Sequence, residues 1–540
     1  MFAGFVVFAV VLGSAWSQAG NEPIQAVNYD EFFTYLYNGA RGSVFIDVGR
    51  CEGNLVTETS DQLVIGVFEV SVLALPEFNA ETATIRSYQM LLDRTVIYEL
   101  SLNHGSNVTV TQVSADLRTH EVTNWRQLTC GMDDGSMALW VFESEEEAEE
   151  LQTFQDIRDA FLQGRSLHIR SNGLACGVED FGQETKIWFP TEGHHWTADN
   201  GAAERISFRW LSLGYRQRGP ATMSPVWQKT EVEVTSDGMA SVKRSAVGTG
   251  DGVEIERIET SCPIDPSFGI SFRIRPASVG DLPIVYPTFE EMLSLFFEGK
   301  DGTLKYDTQD CIYQGLGENP LNGRNYTAEI QISGGVWRPT GGETGRRIEW
   351  MNNFQLVDGR DLGLVGSAMF LQENIRLADE GVGYLHLIWL NPRTGDLEAW
   401  FYACPLDTAV LMTSTQHYDL TYLNSPEEYF TAAALGKTTS FRITLYECVD
   451  SGGNTAPTEY RVFHFKDYSF DVTLQTMKAH AWNVESNSAT GSLTVSMSLV
   501  SVDAEGNIVL EVSTVKWNDW TPVQETLTYA CPFSAATIMI

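Results

Sequence analysis

Hydrophobic residues recur with the period of an amphipathic helix at four places along the chain. In the first of these stretches, apolar side chains stand one, four, five and eight positions after Asn28, and the acidic residue Glu31 stands three positions after it. This is the spacing of a capping box followed by one buried helical stripe. The pattern predicts four helices of about three turns each. Their capping residues are Asn28, Thr153, Thr288 and Ser425.

After each helix the hydrophobic period changes from 3.6 to 2, which is typical of a half-buried strand. In the first stretch, the apolar residues Val44, Ile46 and Val48 stand at every second position. A glycine suited to a left-handed helix end stands 11 residues after each cap, and a cysteine stands 12 residues after that glycine. These glycines are Gly39, Gly164, Gly299 and Gly436.

The stretch beyond each of these cysteines predicts an antiparallel meander of five to seven strands, because short alternating runs are separated by turn residues. One turn recurs 23 to 25 residues before the next cysteine, at Gly105, Gly238, Gly381 and Gly506. The same order of elements, a helix, a strand and a meander, is therefore predicted four times along the chain. We expect a β-dominated α+β protein of four tandem repeats, each a short N-terminal helix followed by an antiparallel β-meander that one disulfide pins.

The repeats are expected at residues 22–140, 150–275, 285–415 and 422–540. A chain of 540 residues is too long for a single hydrophobic core. The links between the repeats are short, so the units should touch rather than move independently. One link contains six glutamates between Glu143 and Glu150. We expect a solvated linker or an exposed helix start there, with a weak calcium or mineral contact as the alternative.

The first 17 residues have the features of a secretory signal peptide. They are apolar from Phe2 to Leu12 and end in small residues near Ala15. A membrane anchor is the alternative, but the run is shorter than the roughly 18 residues that cross a bilayer. We therefore expect a secreted, extracellular protein without a membrane partner.

Eight cysteines in an exported chain predict a disulfide framework. One bond within each repeat is the simplest arrangement, and bonds between repeats are the alternative. Closing loops of this length stabilises a protein by about 4 kcal/mol per bond in the chain-entropy model. The predicted pairs are Cys51–Cys130, Cys176–Cys262, Cys311–Cys404 and Cys448–Cys531.

The charge of the chain limits its partners. Hydrophobic residues make up 43% of the chain, which excludes a disordered protein. The formal net charge is -36, from 71 acidic and 35 basic residues. Such a field repels nucleic acid and anionic membranes, and it attracts calcium or basic extracellular partners.

His194 and His195 are the only adjacent histidines, in the stretch TEGHHWTADN. A metal or acid–base role would need a third ligand or a positioned partner. Glu192 and Asp199 are close in sequence but fit no standard ligand spacing. A surface turn with incidental histidines is therefore the favoured interpretation, and no metal or cofactor is expected.

Other chemical signals are few. The chain has no metalloprotease, redox dicysteine, nucleophile-elbow or phosphate-loop motif, so catalytic residues stay unassigned. Trp196, Trp210 and Trp227 favour positions in the core or rim of sheets over a ligand platform. Asn107 in NVT and Asn325 in NYT are candidate glycosylation sites in polar, turn-like contexts.

The repeated unit resembles the VirK-like domain of small exported proteins. The resemblance is carried by blocks such as TFEEMLSLFFEGKDGTLKYDTQDC, by the later glycine turn and by the closing segments YACPL and YACPF. It extends over the whole mature chain as four divergent copies. It implies a recurrent disulfide and a fold of one helix and a meander, and it assigns no catalytic residue.

Two functions follow from these features. The first is a secreted, acidic, non-enzymatic repeat protein, which acts in an extracellular or mineralised matrix or as a soluble binder of cations or basic partners. The alternative is a secreted enzyme or small-molecule-binding protein, for example an oxidative, luciferase-like enzyme, with its site in one β-unit. The second repeat, with its histidine pair and tryptophans, is where that site is expected. An inhibitor or toxin-like binder is a third option.

Overall fold

The structure is a computed structural model of the chain from residue 23 to residue 540. It does not describe the following residues within that range: 38–39, 41, 54–60, 68, 74–81, 92, 104–106, 143–148, 164, 166, 173–183, 189–191, 199–203, 220–221, 250–252, 266–269, 275–282, 299–301, 322–323, 332–333, 340–344, 358–368, 392–396, 415–420, 436, 466, 472, 488–491 and 518–519. We divide the chain into segment 1 (residues 23–142), segment 2 (149–274), segment 3 (283–414) and segment 4 (421–540).

Among the described residues, each segment contributes one helix and nine or ten strands. Segment 1 contains β1 (Ile24–Ala26), α1 (Tyr29–Tyr37), β2 (Gly42–Asp47), β3 (Glu52–Gly53), β4 (Asp61–Val67), β5 (Glu69–Leu73), β6 (Thr82–Met90), β7 (Arg94–Asn103), β8 (Asn107–Asp116), β9 (Val122–Gly131) and β10 (Met137–Val141). Segment 2 contains β11 (Glu149–Leu151), α2 (Phe154–Leu162), β12 (Leu167–Asn172), β13 (Glu184–Trp188), β14 (Glu192–Ala198), β15 (Arg205–Gly219), β16 (Thr222–Thr235), β17 (Met239–Gly248), β18 (Glu254–Pro263) and β19 (Ile270–Ile274).

The second half of the chain has the same order of elements. Segment 3 contains β20 (Ile284–Tyr286), α3 (Phe289–Glu298), β21 (Thr303–Asp307), β22 (Ile312–Tyr313), β23 (Arg324–Gln331), β24 (Gly334–Arg338), β25 (Arg347–Val357), β26 (Met369–Ala378), β27 (Val382–Leu390), β28 (Leu397–Pro405) and β29 (Val410–Ser414). Segment 4 contains β30 (Tyr422–Leu423), α4 (Pro426–Ala434), β31 (Thr439–Thr444), β32 (Val449–Asp450), β33 (Tyr460–Phe465), β34 (Tyr468–Asp471), β35 (Thr476–Asn487), β36 (Ser492–Asp503), β37 (Asn507–Lys516), β38 (Leu527–Pro532) and β39 (Ala536–Met539).

The helices begin where the capping residues predict. Thr153 and Asp156 form a reciprocal capping box at the start of α2. The Glu291 backbone N–H donates to Thr288 Oγ1 over 3.3 Å, and the Thr288 N–H donates to the Glu291 carboxylate over 3.0 Å. These bonds satisfy backbone donors that have no partner inside the helix. The predicted helix-end glycines lie outside the described residues.

Each of the four sheets combines strands from two segments, and the strand pairs described within them are antiparallel. The first sheet has the order β1-β10-β2-β4-β34-β35-β36-β37-β38-β32 and joins segments 1 and 4. The second has the order β11-β19-β12-β13-β5-β6-β7-β8-β9-β3 and joins segments 2 and 1. The third has the order β18-β17-β16-β15-β14-β23-β21-β29-β20, and the fourth β22-β28-β27-β26-β25-β24-β33-β31-β39-β30.

This pairing closes the four segments into a ring. The first and last strands of each segment join the middle strands of the preceding segment, and segment 1 joins segment 4 through β4 and β34. At the centre, β6 contacts β15, β15 contacts β25, β25 contacts β35, and β35 contacts β6. The chain therefore forms one connected β-structure, in which no segment has a sheet of its own.

The hydrophobic residues form four outer cores and one central core. Each outer core lies mainly within one segment, between the two sheets to which that segment contributes. The central core combines residues from all four segments, among them Met90, Trp227, Phe370 and Trp520. Since burial of apolar surface is the main stabilising term in folding, this shared core holds the ring together from the inside.

Three disulfides connect residues within single segments, as one bond per repeat predicts. They are Cys51–Cys130, Cys311–Cys404 and Cys448–Cys531. Cys262 is also disulfide-bonded. Its predicted partner, Cys176, lies outside the described residues.

Polar side chains connect segments 3, 4 and 1 to the helix of the segment that precedes each of them in the ring. Arg442 Nη1 donates to the Phe297 carbonyl at the end of α3 over 3.0 Å, and its guanidinium lies 5.4 Å from the centre of the Phe297 ring. Lys305 Nζ donates in the same way to the Leu162 carbonyl at the end of α2. Ser43 Oγ lies 3.4 Å from the Leu435 carbonyl, just after α4. A cation at a helix C-terminus also interacts favourably with the helix dipole.

Among the described residues, no helix is long and apolar enough to cross a bilayer. The longest of them, α3, has 10 residues.

The contact between Arg442 and α3 generates a test of the ring. Replacing Arg442 by Ala removes the hydrogen bonds to the Phe297 carbonyl and to Thr537 Oγ1, together with the cation–π contact. We expect the free energy of unfolding to fall by about 1–3 kcal/mol, measured by urea denaturation. Lys516→Ala, at an exposed position, is the control and should change it by less than about 0.5 kcal/mol. Equal effects of both substitutions would contradict a role for Arg442 in joining segments 3 and 4.

Candidate functional site

A cleft of about 450 Å³ opens in segment 2 between α2 and the turn that joins β16 and β17. Its walls are residues 152–155 and Arg158 from the start of α2, Glu204 just before β15, residues 236–238 of the turn, and Ile264. The volume lies within the range of about 300–1,000 Å³ that is typical of small-molecule sites.

The local structure fixes both sides of this cleft. The capping box of Thr153 holds the first turn of α2 on one side. On the other side, Gly238 has a φ of 82°, which favours glycine, and its N–H donates to the Thr235 carbonyl over 3.0 Å. The Ser236 N–H donates to the Glu204 carbonyl over 3.1 Å, which ties Glu204 to the turn.

Glu204 connects the cleft to a buried histidine. Arg158 Nη1 donates to Glu204 Oε2 over 2.9 Å, and His195 Nε2 lies 3.8 Å from the same oxygen. His195 is 7% exposed, and its Nε2 has no hydrogen-bond partner. Burial lowers the pKa of His195, although the nearby Glu204 carboxylate favours the charged form. The imidazole is therefore neutral near pH 7.

His195 also faces the strands that segment 3 adds to this sheet. It is paired with Thr327 of β23, and its ring lies 6.3 Å from the Phe161 ring of α2. Beside it, Lys305 lies 5.8 Å from the centre of the Phe161 ring. Burial lowers the pKa of Lys305 and raises that of its cross-strand partner Glu329 to about 7. Titratable groups from two segments thus meet under α2.

The structure brings together only part of the predicted histidine site. The side chains of His194 and Glu192 are outside the described part, and so is Asp199. Among the residues described, no group of three histidine, cysteine or acidic side chains could hold a metal ion. The expected surface turn was wrong for His195, because this residue lies in strand β14 and is buried. Sequence analysis also missed its neighbours Glu204 and Arg158.

The interior of segment 3 contains a second polar cluster, which the sequence analysis did not find. Tyr326 Oη donates to Glu373 Oε1 over 2.7 Å, and Tyr306 Oη donates to the same oxygen. Tyr306 and Glu373 are 0% exposed, and Tyr326 is 2% exposed. Burial, with the Glu373 charge adding to it, raises the pKa of both tyrosines well above the ordinary value. Both hydroxyls therefore remain protonated donors.

A buried ion cluster lies on β15 and β16. Glu231 is 0% exposed, and its carboxylate is 2.6 Å from both Arg209 Nε and Lys229 Nζ. Burial raises the pKa of Glu231, but the two cations outweigh this effect and hold the pKa below its ordinary range. Removing one partner of such a cluster is destabilising, because the remaining charge stays buried.

The other candidate residues are at separate places. Asn107 is exposed at the start of β8, which suits a glycan acceptor, whereas Asn325 is inside β23 and its side chain is not described. Trp227 is 3% exposed in the central core, as expected for a structural tryptophan. The side chains of Trp196 and Trp210 are outside the described part. Of the glutamate-rich link, only Glu149 and Glu150 are described, in β11. Occupancy of both glycosylation sites stays a prediction.

The polar cluster of segment 3 generates a prediction about stability. Tyr326→Phe removes one of the two tyrosine hydrogen bonds to the buried Glu373, so we expect the free energy of unfolding to fall by about 1–3 kcal/mol. Tyr384→Phe is a matched control, because Tyr384 donates to Glu380 over 2.6 Å at the surface. Its effect should be below about 0.5 kcal/mol. Urea denaturation measures both, and a Tyr326→Phe protein as stable as the control would contradict the assignment.

The lowered pKa of His195 predicts a dependence of stability on pH. Below the ordinary pKa of about 6.5, the unfolded chain binds a proton that the folded chain does not bind. The free energy of unfolding therefore falls as the pH is lowered from about 6.5, and His195→Phe should make this fall shallower. Trp337→Phe is the control, since Trp337 packs against α3 but does not titrate. Equal slopes for wild type and His195→Phe, measured by urea denaturation at several pH values, would overturn this prediction.

A known protein structure matches part of the chain. No protein-family model and no curated protein sequence matches the chain. A solved structure of a VirK family protein from Legionella pneumophila is similar to it over 22% of this chain and 97% of that one, with a TM-score of 0.20 and 14% sequence identity. The resemblance of all four repeats to the VirK-like domain stays a prediction.

Proposed function

We propose that the protein is an exported binding protein made of four copies of one unit, and that its acidic surface recruits cations or basic extracellular partners. The single observation that carries the proposal is the net charge of -36 on a compact, disulfide-bonded ring. A field of this size acts on any charged molecule within about a Debye length of the surface.

The proposal of four copies of one unit is supported by equivalent positions in the segments. Each segment has a capped helix followed by a strand, and the segments with two described cysteines have a disulfide between equivalent positions. The turn glycines Gly238, Gly381 and Gly506 have φ values of 82°, 83° and 87°. The same unusual backbone conformation at the same place in three segments is what copies of one unit would have.

Exposed carboxylates at the starts of helices contribute to the outward field. Asp30, Glu290 and Glu427 are exposed in the first turns of their helices. Carboxylates at helix N-termini are also favourable for the helix dipole, so these acidic residues stabilise the fold and the outward field together.

Binding rather than catalysis is supported by the state of the buried carboxylates. Glu231 and Glu373 are both 0% exposed, and both are engaged by side chains of the protein itself. Such groups stabilise or specify an interior, which is a structural role. Export is supported by the disulfides, which persist in oxidising compartments.

Calorimetric titration of the mature protein tests this function. We expect saturable heat with poly-L-lysine, and weaker binding as salt is raised, because the Debye length shrinks from about 30 Å at 0.01 M to about 10 Å at 0.1 M. Poly-L-glutamate is the control and should give no heat. Titration with millimolar calcium chloride tests whether the acidic surface also binds cations. Absence of heat with both poly-L-lysine and calcium would overturn the proposed function.

A further inference from the structure

We propose that the cleft of segment 2 is a binding site for a small, neutral, hydroxyl-rich molecule, such as a mono- or disaccharide. The site is separate from the acidic surface and goes beyond the function proposed for it. Four observations carry the inference: the equivalent place is filled in segments 3 and 4, the cleft has unused hydrogen-bonding groups, its charges are mixed, and a buried histidine lies behind its wall.

In segment 3, the space that corresponds to the cleft is filled by the side chain of Arg346. The Asp379 N–H donates to the Arg346 carbonyl, as the Ser236 N–H donates to the Glu204 carbonyl, so Arg346 is at the position of Glu204. The Arg346 guanidinium bonds Asp379 over 3.2 Å and also bonds Glu290 in the first turn of α3. It lies 5.6 Å from the centre of the Phe289 ring. The helix start and the turn are thereby joined.

Segment 4 is also closed at this place. The turn glycine Gly506 is so near to Pro426, the first residue of α4, that an added Cβ would lie 3.2 Å from Pro426 Cγ and 3.4 Å from Phe533 Cβ. The corresponding glycines of segments 2 and 3, Gly238 and Gly381, both have no atom within 4 Å of an added Cβ, so in segment 3 it is the Arg346 side chain that joins the turn to the helix start. In segment 2 neither such an arginine nor a close turn occupies this space, and the cleft lies there.

The open cleft presents hydrogen-bonding groups that the protein does not use. Glu204 accepts from Arg158 through Oε2, and no described residue donates to its Oε1. Gln155 Nε2 is bonded to Asp159, whereas its carbonyl Oε1 has no described donor. The Ser236 side chain has no described hydrogen bond, and its residue is exposed on the turn. Such convergent donors and acceptors suit the hydroxyl groups of a polyol, each of which both donates and accepts.

The charges around the cleft favour a neutral ligand over an ion. Arg158 and Glu204 neutralise each other at 2.9 Å, and the start of α2 adds partial positive charge near the Asp237 carboxylate. An ionic ligand of either sign would therefore approach a like charge. A neutral polar molecule can bond both kinds of group and carries no such penalty.

His195 supports the wall of the site from behind. It is paired with Ile206, the second residue of β15, and Trp337 and Phe470 are paired with the second residues of β25 and β35. These aromatic residues pack against helix residues Phe297 and Phe430. Segment 2 has an imidazole at this position, with Nε2 3.8 Å from Glu204. It is more than nine-tenths buried, its Nε2 lacks a hydrogen-bond partner, and it lies behind the carboxylate that faces the cleft.

Transfer of the segment 3 arrangement into segment 2 provides the test. The triple variant Glu204→Arg, Gln155→Glu and Ser236→Asp introduces the residues that fill the place in segment 3. Calorimetric titration of the mature wild-type protein with glucose, galactose, N-acetylglucosamine, cellobiose and lactose should give saturable heat for at least one of them. We expect the triple variant to bind that sugar at least tenfold more weakly. Glu121→Gln, at an exposed position in segment 1, is the control and should bind as wild type does.

A second variant keeps the test independent of folding defects. Ser236→Trp occupies the cleft from an exposed turn position and should also weaken the binding at least tenfold, with the circular dichroism spectrum unchanged. Added salt should leave the sugar affinity unaltered, which separates this site from the acidic surface. Two results would overturn the proposal: no heat with any of the five sugars, or a folded Ser236→Trp protein that binds as tightly as wild type.

Discussion

The structure depends on strand pairing across the borders between segments. A strand at the edge of a sheet leaves a row of backbone donors and acceptors unpaired. Here the middle strands of each segment pair with the opening strands of the next, through β5 with β13, β14 with β23, β24 with β33 and β34 with β4. Since the last of these pairs returns to segment 1, four is the number of segments at which this ring closes.

Closure of the ring has a consequence for the interior. The central strands β6, β15 and β35 contribute residues to one shared core, in which a side chain contacts residues far apart in the sequence. The Trp227 ring, for example, lies 6.1 Å from the rings of both Phe370 and Trp517. The outer cores contact fewer segments and are therefore the places where one segment can differ from the others at a low cost to the whole.

Helix caps and disulfides were predictable from the sequence, but the pairing between strands of different segments was not. The caps at Thr153 and Thr288 are correct because a capping box is formed by residues three positions apart. The disulfides followed from spacing. Periodicity shows which face of a strand is buried, but it does not show which strand is its neighbour, so the shared sheets were not foreseen.

The candidate site was predicted only in part. His195 was noticed only because another histidine, His194, stands next to it in the sequence. Glu204, whose carboxylate lies 3.8 Å from the His195 Nε2, was missed because six residues, 199–204, separate the paired strands β14 and β15. A charged residue inside the apolar strand MFLQENIRLA was the available signal for Glu373.

The segments also show how a repeated framework acquires different interiors. Eight residues before the turn glycine, segments 2 and 4 have Thr230 and Ser498, whereas segment 3 has Glu373. A buried carboxylate is tolerated there because Tyr306 and Tyr326 donate to it. In segment 2 the departure is at Glu204 and His195, where a reversed charge and an imidazole leave a cleft that Arg346 closes in segment 3. In both cases the change needs compensating residues nearby, and the ring itself is unaffected because its cross-segment pairs are made by backbone atoms.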